Sequence, residues 1–513
     1  MKAMQSKIPK EVTNAGKILT EGGYKAYLVG GCVRDLLRKA VHGELVEPKD
    51  WDIATDATPE VIQKLFPESV YENNFGTVGV KTESEDPRLK IIEITTFRVE
   101  DDYSDKRHPD AVRFAKTIEE DLSRRDFTIN ALALSLVGGM AAKKGKSDIV
   151  DPYGGQADLK NKIIRTVGDP RKRFEEDALR LMRAVRLAAE LGGFSAESGS
   201  VSGWEIEHTT MQAIKEHAGL LEMIAKERIR DEFVKIIMTP RAAEGIVLLE
   251  DTGLLKYIIP ELKEGIGCGQ NKHHIYTVFD HNIRALNYAV EKNYSLEVRL
   301  AALLHDVGKP RTKRGEGPNS TFYNHEVVGA RMTAKIMDRL HFSKEIAERV
   351  LHLVRFHLFY YNVGEVTEAG VRRFLQRVGE DSVDDLFKVR EADRIGSGVP
   401  KAVPYKLRHL RFMLEKVKRD PIHPKMLKIK GDTVMELLHI PPGPKVGQLL
   451  SVLLEEVLDD PTLNTEEYLH ARVKELAAHS EKELKALAER AKEKKEEFES
   501  GIEENIKRKY YIK

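Results

Sequence analysis

Cysteine is almost absent from this chain: Cys32 and Cys268 are the only two in 513 residues. Two thiols exclude a disulfide-stapled scaffold and any Cys-rich zinc site, and they suit a reducing compartment. Also missing is an apolar run of about 18 residues, the length a membrane-spanning helix needs. Met1 to Val12 carries lysines but no apolar segment of the kind a secretion signal has. Neither sign of charge dominates, with 83 Lys plus Arg against 82 Asp plus Glu, so any surface for a nucleic acid has to be local. Together these absences predict a cytoplasmic protein with no membrane partner. What is present is a 41% hydrophobic content, ample for packed cores. The length suits about three or four domains of roughly 100 to 200 residues each.

The stretch Lys49-Asp50-Trp51-Asp52-Ile53-Ala54-Thr55 organises the first part of the chain. In an extended strand residues two apart share a face, so Asp50 and Asp52 aim at one spot while Trp51 and Ile53 turn into packing. Two carboxylates held that close repel unless a hard cation lies between them, and oxygen-only ligation with room for phosphate suits Mg²⁺. The bland alternative is an exposed edge strand with two solvated acids. Upstream, Tyr27-Leu28-Val29 reads as a short buried strand, Gly30-Gly31 breaks it, and Cys32-Val33-Arg34-Asp35-Leu36-Leu37 starts a helix. Bare N–H groups and the positive end of the helix dipole at such a junction suit a triphosphate, with Arg34 as its clamp, although a ligand-free tight turn reads the same way. Gly-Gly-x-x-Arg-Asp followed by Asp-x-Asp resembles the polymerase-β-type nucleotidyltransferase superfamily, in its tRNA nucleotidyltransferase and poly(A) polymerase branch.

Residues 1–165 alternate helical and extended pieces, the pattern of an α+β or α/β domain. Thr58-Pro59-Glu60 opens a helix, with Thr58 as N-cap. Val78-Gly79-Val80 and Lys90 to Thr96 read as strands. Phe97 to Pro109 is polar and aperiodic, reads as a mobile loop, and resembles the flexible loop of that family. Ser123 is placed as the cap of a helix whose first turn carries Arg124, Arg125 and Asp126. A carboxylate beside a guanidinium can hold a ribose hydroxyl and a phosphate; it can equally be a salt-bridged helix start. The run Arg-Arg-Asp-Phe-Thr-x-Asn-Ala resembles the ribose-reading motif of the family, which implies nucleotide binding for Arg125, Asp126 and Asn130.

From Asp169-Pro170 onward the pattern is helical. Asp177, Arg180, Arg183 and Arg186 fall three apart, a drifting stripe opposite Ala178, Leu181 and Val185. It reads either as an ordinary salt-bridged amphipathic helix or as a base reader. In the second reading Asp177 accepts from the exocyclic amine of cytosine or adenine and Arg180 donates to the ring acceptors, whereas uracil and guanine present a carbonyl to the carboxylate. The Glu-Asp-x-x-Arg stretch resembles the class II base-selecting motif, implying nucleotide contacts for Asp177, Arg180, Arg183 and Arg186. Two departures from the family pattern, Lys39 to Pro48 and Ser195 to Gly203, read as peripheral insertions. Glu227 to Phe233 resembles a motif that braces the helical neck.

Gly265 to Asn271 is glycine-rich and marks a boundary, beyond which histidine accumulates. His281, then His305-Asp306-Val307-Gly308-Lys309, then Asn324-His325-Glu326 and Ala392-Asp393-Arg394 lie in a helical pattern. Most of the 17 histidines are expected to be packed residues, but a His-Asp pair with a distant His before and an Asp after is a ligand set for a divalent, water-activating metal. It resembles the HD phosphohydrolase superfamily, implying His281, His305, Asp306 and Asp393 as ligands with His325 and Lys309 auxiliary. His273, His274, His352 and His357 remain alternative ligands. Lys430 to Gly447 resembles the tail of the family, and Glu466 to Lys513 reads as a charge-dense helix, solvated or paired, whose end Lys507-Arg508-Lys509 reads as a fraying solvated terminus ahead of an RNA contact.

The resemblance covers nearly the whole chain. It implies a nucleotidyltransferase palm over 1–165, an all-α neck and body over 166–268, an all-α HD domain over 269–400, a helical tail over 401–465 and a charged terminal helix over 466–513. Its implied activity is addition of CCA to the tRNA 3′ end from CTP and ATP, with Mg²⁺ at Asp50 and Asp52 and a divalent metal of unknown identity at the HD site. The alternatives are a poly(A) polymerase, an A-adding or CC-adding specialist, and an HD phosphohydrolase whose first domain binds RNA. An alarmone synthetase-hydrolase joins the same two chemistries in the reverse order. Oligomeric state is not legible.

Overall fold

The structure, a computed structural model, describes residues 7–43, 46–71, 76–101, 111–136, 148–194, 201–271, 275–363, 365–417, 426–480, 483–487 and 489. It divides into two compact units, one of Met1–Lys263 with Ile336–Ser343, the other of Glu264–Lys335 with Lys344–Lys513. Among the described residues no helix is long and apolar enough to cross a membrane.

The first unit is built on a mixed sheet. Its strands are β1 (Ala26–Val29), β2 (Asp52–Thr55), β3 (Ser69–Tyr71), β4 (Thr77–Lys81), β5 (Ile91–Thr96), β8 (Ala133–Ser135) and β9 (Ile149–Val150), in the order β3-β4-β5-β2-β1-β8-β9. β1 runs antiparallel to β2 and β8, and β2 runs parallel to β5. Leu28, Ile53, Ile92 and Ile94 are fully buried, as central strands of branched and aliphatic residues require. Another cluster joins Val29, Ala54, Phe97, Ile118 and Leu122. It fixes α4 (Ile118–Ser123) against the sheet, below the ends of β1 and β2 that carry the site.

Three local expectations are corrected. Ser123 does not open a helix: Thr117 and Glu120 form a capping box at the start of α4, and Ser123 lies at its far end. Arg124 to Asp126 therefore follow the helix, in the bend before a single 3-10 turn at Thr128–Asn130. Competition between two nearby caps was won by the Thr-x-x-Glu spacing, which satisfies two backbone donors instead of one. The aperiodic loop begins with a fully buried Phe97, and Arg98–Asp101 (β6) pairs antiparallel with Ala111–Phe114 (β7); residues 102–110 lie outside the described residues. Of the two insertions, Lys39 to Pro48 begins inside a helix that runs to His42, with 44–45 outside the described residues. The second forms an antiparallel pair, Gly193–Phe194 with Val201–Ser202, with 195–200 outside them.

The helices of this unit that matter for the site are α1 (Lys10–Glu21), α2 (Gly31–His42), α3 (Pro59–Leu65, after an N-cap Thr58), α4, α5 (Gly155–Asn161), α6 (Pro170–Glu176), α7 (Leu179–Leu191), α8 (His208–His217) and α9 (Lys226–Met238). α7 is buried on all but the stripe of Arg183, Arg186 and Glu190 and packs on α9, whose buried side is Ile229, Glu232, Phe233, Ile236 and Ile237.

In the second unit α10 (Val278–Glu291) packs on α11 (Leu296–Leu304) and on α14 (Glu380–Gly396), with α12 (starting at His325) and α13 (Lys344–Phe356) completing the surround of the histidines. Farther along, Pro444–Asp459 and Glu466–Ala477 share a core of Leu449, Leu453, Val457, Leu469, Val473 and Leu476. The terminal helix is thus amphipathic and packed over its described first turns rather than solvated throughout; residues 490–513, including Lys507 to Lys509, lie outside the described residues.

Candidate functional sites

β1 ends at Val29 and α2 begins at Gly31, so the corner is Gly30, at φ +78° and ψ −137°. Only glycine holds that conformation without strain. A Cβ built there would lie 2.9 Å from Nη1 of Arg125 and 3.8 Å from Oδ2 of Asp52, which places both groups directly over the bare corner. A Cβ on Gly31 would lie 3.7 Å from Nη2 of Arg34. Two guanidiniums and a carboxylate therefore flank the N-terminus of α2, the arrangement a phosphate chain with a bound cation requires.

The two aspartates differ more than strand alternation predicts. β2 starts at Asp52, while Asp50 precedes the strand and is exposed; Trp51 and Ile53 are buried as expected. Burial raises the carboxyl pKa of Asp52, and Asp50 adds to that rise against the opposing charge of Arg125. A carboxylate whose charge is disfavoured mainly by burial, with a second acid beside it, fits a divalent, oxygen-liganded cation, whose charge would offset both effects. Glu93 on β5 is the register partner of Asp52, a third acid beside the pair that sequence separation had concealed.

Around this corner nearly every arginine already has an acid. Arg34 donates from Nε and Nη2 to the two oxygens of Asp35, at 2.9 and 3.0 Å, and from Nη1 to Oδ1 of Asn130 at 2.9 Å. Arg125 pairs with Asp121 at 3.3 Å. Asp126 accepts from the Phe127 N–H at 2.8 Å, from Nδ2 of Asn130 at 3.2 Å and from Nε of Arg183 at 2.8 Å. Burial would push its carboxyl up, but the charge and hydrogen bonds of Arg183 hold it well below the usual carboxylate range.

The four-residue stripe is not one helix face. α6 ends at Glu176, Asp177 is extended at φ −136° and ψ 105°, and α7 begins after Ala178. Asp177 caps the new start, accepting from the Leu179 N–H at 3.1 Å, and its other oxygen accepts from Nη2 of Arg228 at 3.0 Å. Arg180 donates to Glu176 at 2.5 Å and to the carbonyls of Arg173 and Arg124 at 3.1 and 3.2 Å. Asp177 and Arg180 are thus held by separate partners, so the expected pair is two independently braced groups. Arg186 is absorbed by Glu232 and Glu190, at 2.7 and 2.5 Å. Glu176 and Arg228 were missed as participants; Glu176 adjoins Asp177 in sequence, and Arg228 sits in the stretch read as a brace.

The second unit gathers the histidines. Nε2 of His281 lies 2.8 Å from Nε2 of His305, 3.1 Å from Oδ2 of Asp306 and 3.4 Å from Oδ1 of Asp393. A second group uses the other oxygen of Asp306, with Nε2 of His325 at 3.3 Å and Nε2 of His357 at 3.6 Å. Within each group one donor atom per residue lies within 4.8 Å of the others, all buried. His305, His325 and His357 each use Nδ1 on the carbonyl three residues earlier, Ala302, Phe322 and Val354, at 2.7 to 2.8 Å. A donating Nδ1 fixes the ring orientation and leaves Nε2 facing the acids, the nitrogen that metal-ligating imidazoles present to their ion. Oδ2 of Asp306 accepts no aligned hydrogen bond although Nζ of Lys309 is 2.5 Å away. Burial lowers the His305 pKa, but Asp306 and Asp393 outweigh it and push it up to about 10. These donors fit one or two divalent cations.

His325 comes close because Gly308 has no side chain: a Cβ there would lie 2.3 Å from the His325 carbonyl and 2.5 Å from the Gly329 N–H. His357, one of four alternatives by sequence, is a member; His352 stacks on Phe356 away from the group, and His273 and His274 lie outside the described residues. Gln270 was not anticipated. It accepts from Lys309 at 2.7 Å and, with Asp306, holds that ammonium at the site. Arg390 likewise braces Asp393, at 2.5 Å.

Residues 26–165 match the Poly A polymerase head domain family, 203–266 the probable RNA and SrmB-binding site of polymerase A, and 278–396 the HD domain. The chain is 34% identical over 445 residues to an A-adding tRNA nucleotidyltransferase of Deinococcus radiodurans, covering 84% of this chain and 91% of that one. It is 31% identical over 491 residues to a CCA-adding enzyme of Enterococcus faecalis, covering 93% and 98%. Several other CCA-adding enzymes match at higher identity over about half their length. Among solved structures, that of the Bacillus stearothermophilus CCA-adding enzyme in complex with CTP superposes with a TM-score of 0.64 at 28% identity, covering 91% of this chain and 96% of that one.

Proposed function

Because this chain belongs to the family of tRNA nucleotidyltransferases and poly(A) polymerases, joined to an HD domain, we propose that it adds CCA to the 3′ end of tRNA from CTP and ATP. The observation that carries this reading is the Gly30 corner, over which Arg125 and Asp52 converge beside Arg34. Arg34 and Arg125 bind the triphosphate, Asp126 accepts from the ribose 2′-hydroxyl with Asn130 and Arg183 behind it, and Asp177 with Arg180 reads the base edge. Arg186 supports the helix from behind. Mg²⁺ held by Asp50 and Asp52 would lower the pKa of the RNA 3′-hydroxyl and neutralise the phosphates. The 3′-oxygen bonds to the α-phosphorus, the bond to the bridging oxygen breaks, and pyrophosphate leaves with its electron pair while the hydroxyl proton passes to solvent. No side-chain base is needed.

The domain limits follow the same reading: palm 1–165, neck and body 166–268, HD domain 269–400, tail 401–465 and terminal helix 466–513. Family matches that fall inside the first three segments support those three. For the HD domain we propose metal-dependent hydrolysis of a phosphate ester. His281, His305, Asp306 and Asp393 would hold one cation, His325 and His357 would join Asp306 around another, and Lys309 would meet the phosphate.

A second reading, an A-adding specialist, is favoured by the near full-length likeness to the Deinococcus protein. One experiment separates the two: product length and sequence on tRNA lacking its 3′ end and on an unrelated RNA, with CTP, ATP and both. Two cytidylates and one adenylate followed by arrest is the result expected. Adenylate added only to ends already bearing two cytidylates would establish the specialist, and a long adenylate tail on the unrelated RNA would establish a poly(A) polymerase.

A further inference from the structure

Asn130 joins two groups that recognise different parts of a nucleotide. Its Oδ1 accepts from Nη1 of Arg34 at 2.9 Å, and its Nδ2 donates to Oδ1 of Asp126 at 3.2 Å. Asn130 and Asp126 are each only 8% exposed, so neither bond is shared freely with water. An amide has one accepting end and one donating end, and here a cation faces the first and an anion the second. Its orientation is therefore fixed by its neighbours. Leucine, with the same number and branching of side-chain heavy atoms, could serve neither, and aspartate would set a second anion against Asp126.

The line extends both ways. Arg34 is seated on Asp35 by a two-point bond, and Asp126 is held by Arg183 from α7. Asp35, Arg34, Asn130, Asp126 and Arg183 form one chain of alternating charge, with the neutral amide as its centre. Moving the Arg34 guanidinium toward a phosphate pulls on Oδ1 of Asn130 and so on the carboxylate that receives the ribose hydroxyl.

We propose that Asn130 is a positioning residue that couples triphosphate binding to ribose recognition, so that discrimination against a 2′-deoxy nucleotide is larger when the triphosphate is present. The inference rests on the nucleotide reading of this site and adds the coupling to it. Contacts through a shared network carry interaction free energies of about 0.5–3 kcal/mol, so a coupling factor of about tenfold is expected.

The test is equilibrium binding of CTP, dCTP, CMP and dCMP to the full-length protein, its Asn130→Leu variant and its Arg34→Lys variant, with melting temperatures as the check on folding. The coupling factor is the dCTP to CTP ratio of Kd divided by the dCMP to CMP ratio. Wild type is expected to give about ten, from the range above, and both variants close to one. Arg34→Lys keeps the Asn130–Asp126 bond and serves even if Asn130→Leu does not fold. A wild-type factor of one overturns the coupling while leaving the nucleotide site intact. An unchanged factor in a folded variant removes Asn130 from it. Failure of wild type to bind CTP at all overturns the reading of the site, and the coupling with it.

Discussion

Arg183 reaches Asp126 through two nitrogens that share a single carboxylate oxygen, Nε at 2.8 Å and Nη2 at 2.6 Å. This pair ties α7 to the bend after α4, and it sets an acid limit on stability. The folded carboxyl lies well below its unfolded value of about 3.9. Its contribution is therefore full above about pH 4 and is lost as pH falls toward the folded value. Asp126→Asn is expected to remove the acid-side slope contributed by this pair and to cost about 1–2 kcal/mol near neutrality, since a charged hydrogen bond to a partly exposed guanidinium becomes a neutral one. Denaturant midpoints between pH 2.5 and 7 measure both; equal slopes in the two proteins would contradict the assignment.

Replacing Gly30 by alanine forces a side chain into a left-handed corner and onto the Arg125 guanidinium. The backbone cost is about 1–3 kcal/mol, small enough for folding to survive. Nucleotide addition with both CTP and ATP is expected to fall at least a hundredfold, with tRNA binding unchanged. Normal turnover with either nucleotide would remove the corner from the phosphate site.

Arg228 holds Asp177 at 3.0 Å, so releasing it frees the acid that would face the base. Arg228→Ala is expected to raise UTP and GTP misincorporation relative to CTP and ATP by about tenfold, the equivalent of one lost hydrogen bond of about 1.4 kcal/mol. Competition assays read the ratio directly. A uniform slowing without change in the ratio would make α6, Asp177 and α7 a scaffold alone.

Metal content discriminates between one cation and two in the histidine cluster. Because Asp306 offers a different oxygen to each group, His325→Ala with His357→Ala is expected to lower bound Mn²⁺ from two ions to one per chain. His305→Ala with Asp306→Ala is expected to abolish binding and phosphate ester hydrolysis while sparing nucleotide addition. Loss of both activities in the latter variant would identify the helical unit as a structural brace.

The parts of this molecule that were legible in the sequence are those fixed by neighbours along the chain. Gly30-Gly31 between a strand and a helix, Asp52 at a strand start, and the His305-Asp306 step all have local signatures. The Asp177 break was not legible, because Asp169 to Arg186 keeps a helical period throughout and only the side-chain cap on Leu179 competes with it. Nor could spacing distinguish His357 from His352 on the same helical run: with α13 packed on α11, the former comes to lie beside Asp306 and His325. Ser123 was read as a cap from its residue type alone, and the reciprocal bonds of Thr117 and Glu120, which start the helix earlier, were missed.

The arginines of the nucleotide corner arrive at their task already paired with carboxylates, although Asp35, Asp121, Glu176 and Glu232 each serve a second cation as well. An incoming triphosphate thus exchanges partners instead of settling onto bare positive charge, and few counterions are set free. Added salt weakens the resident pairs and the incoming ones together, so nucleotide affinity should decline with ionic strength far less steeply than five unpaired guanidiniums would dictate.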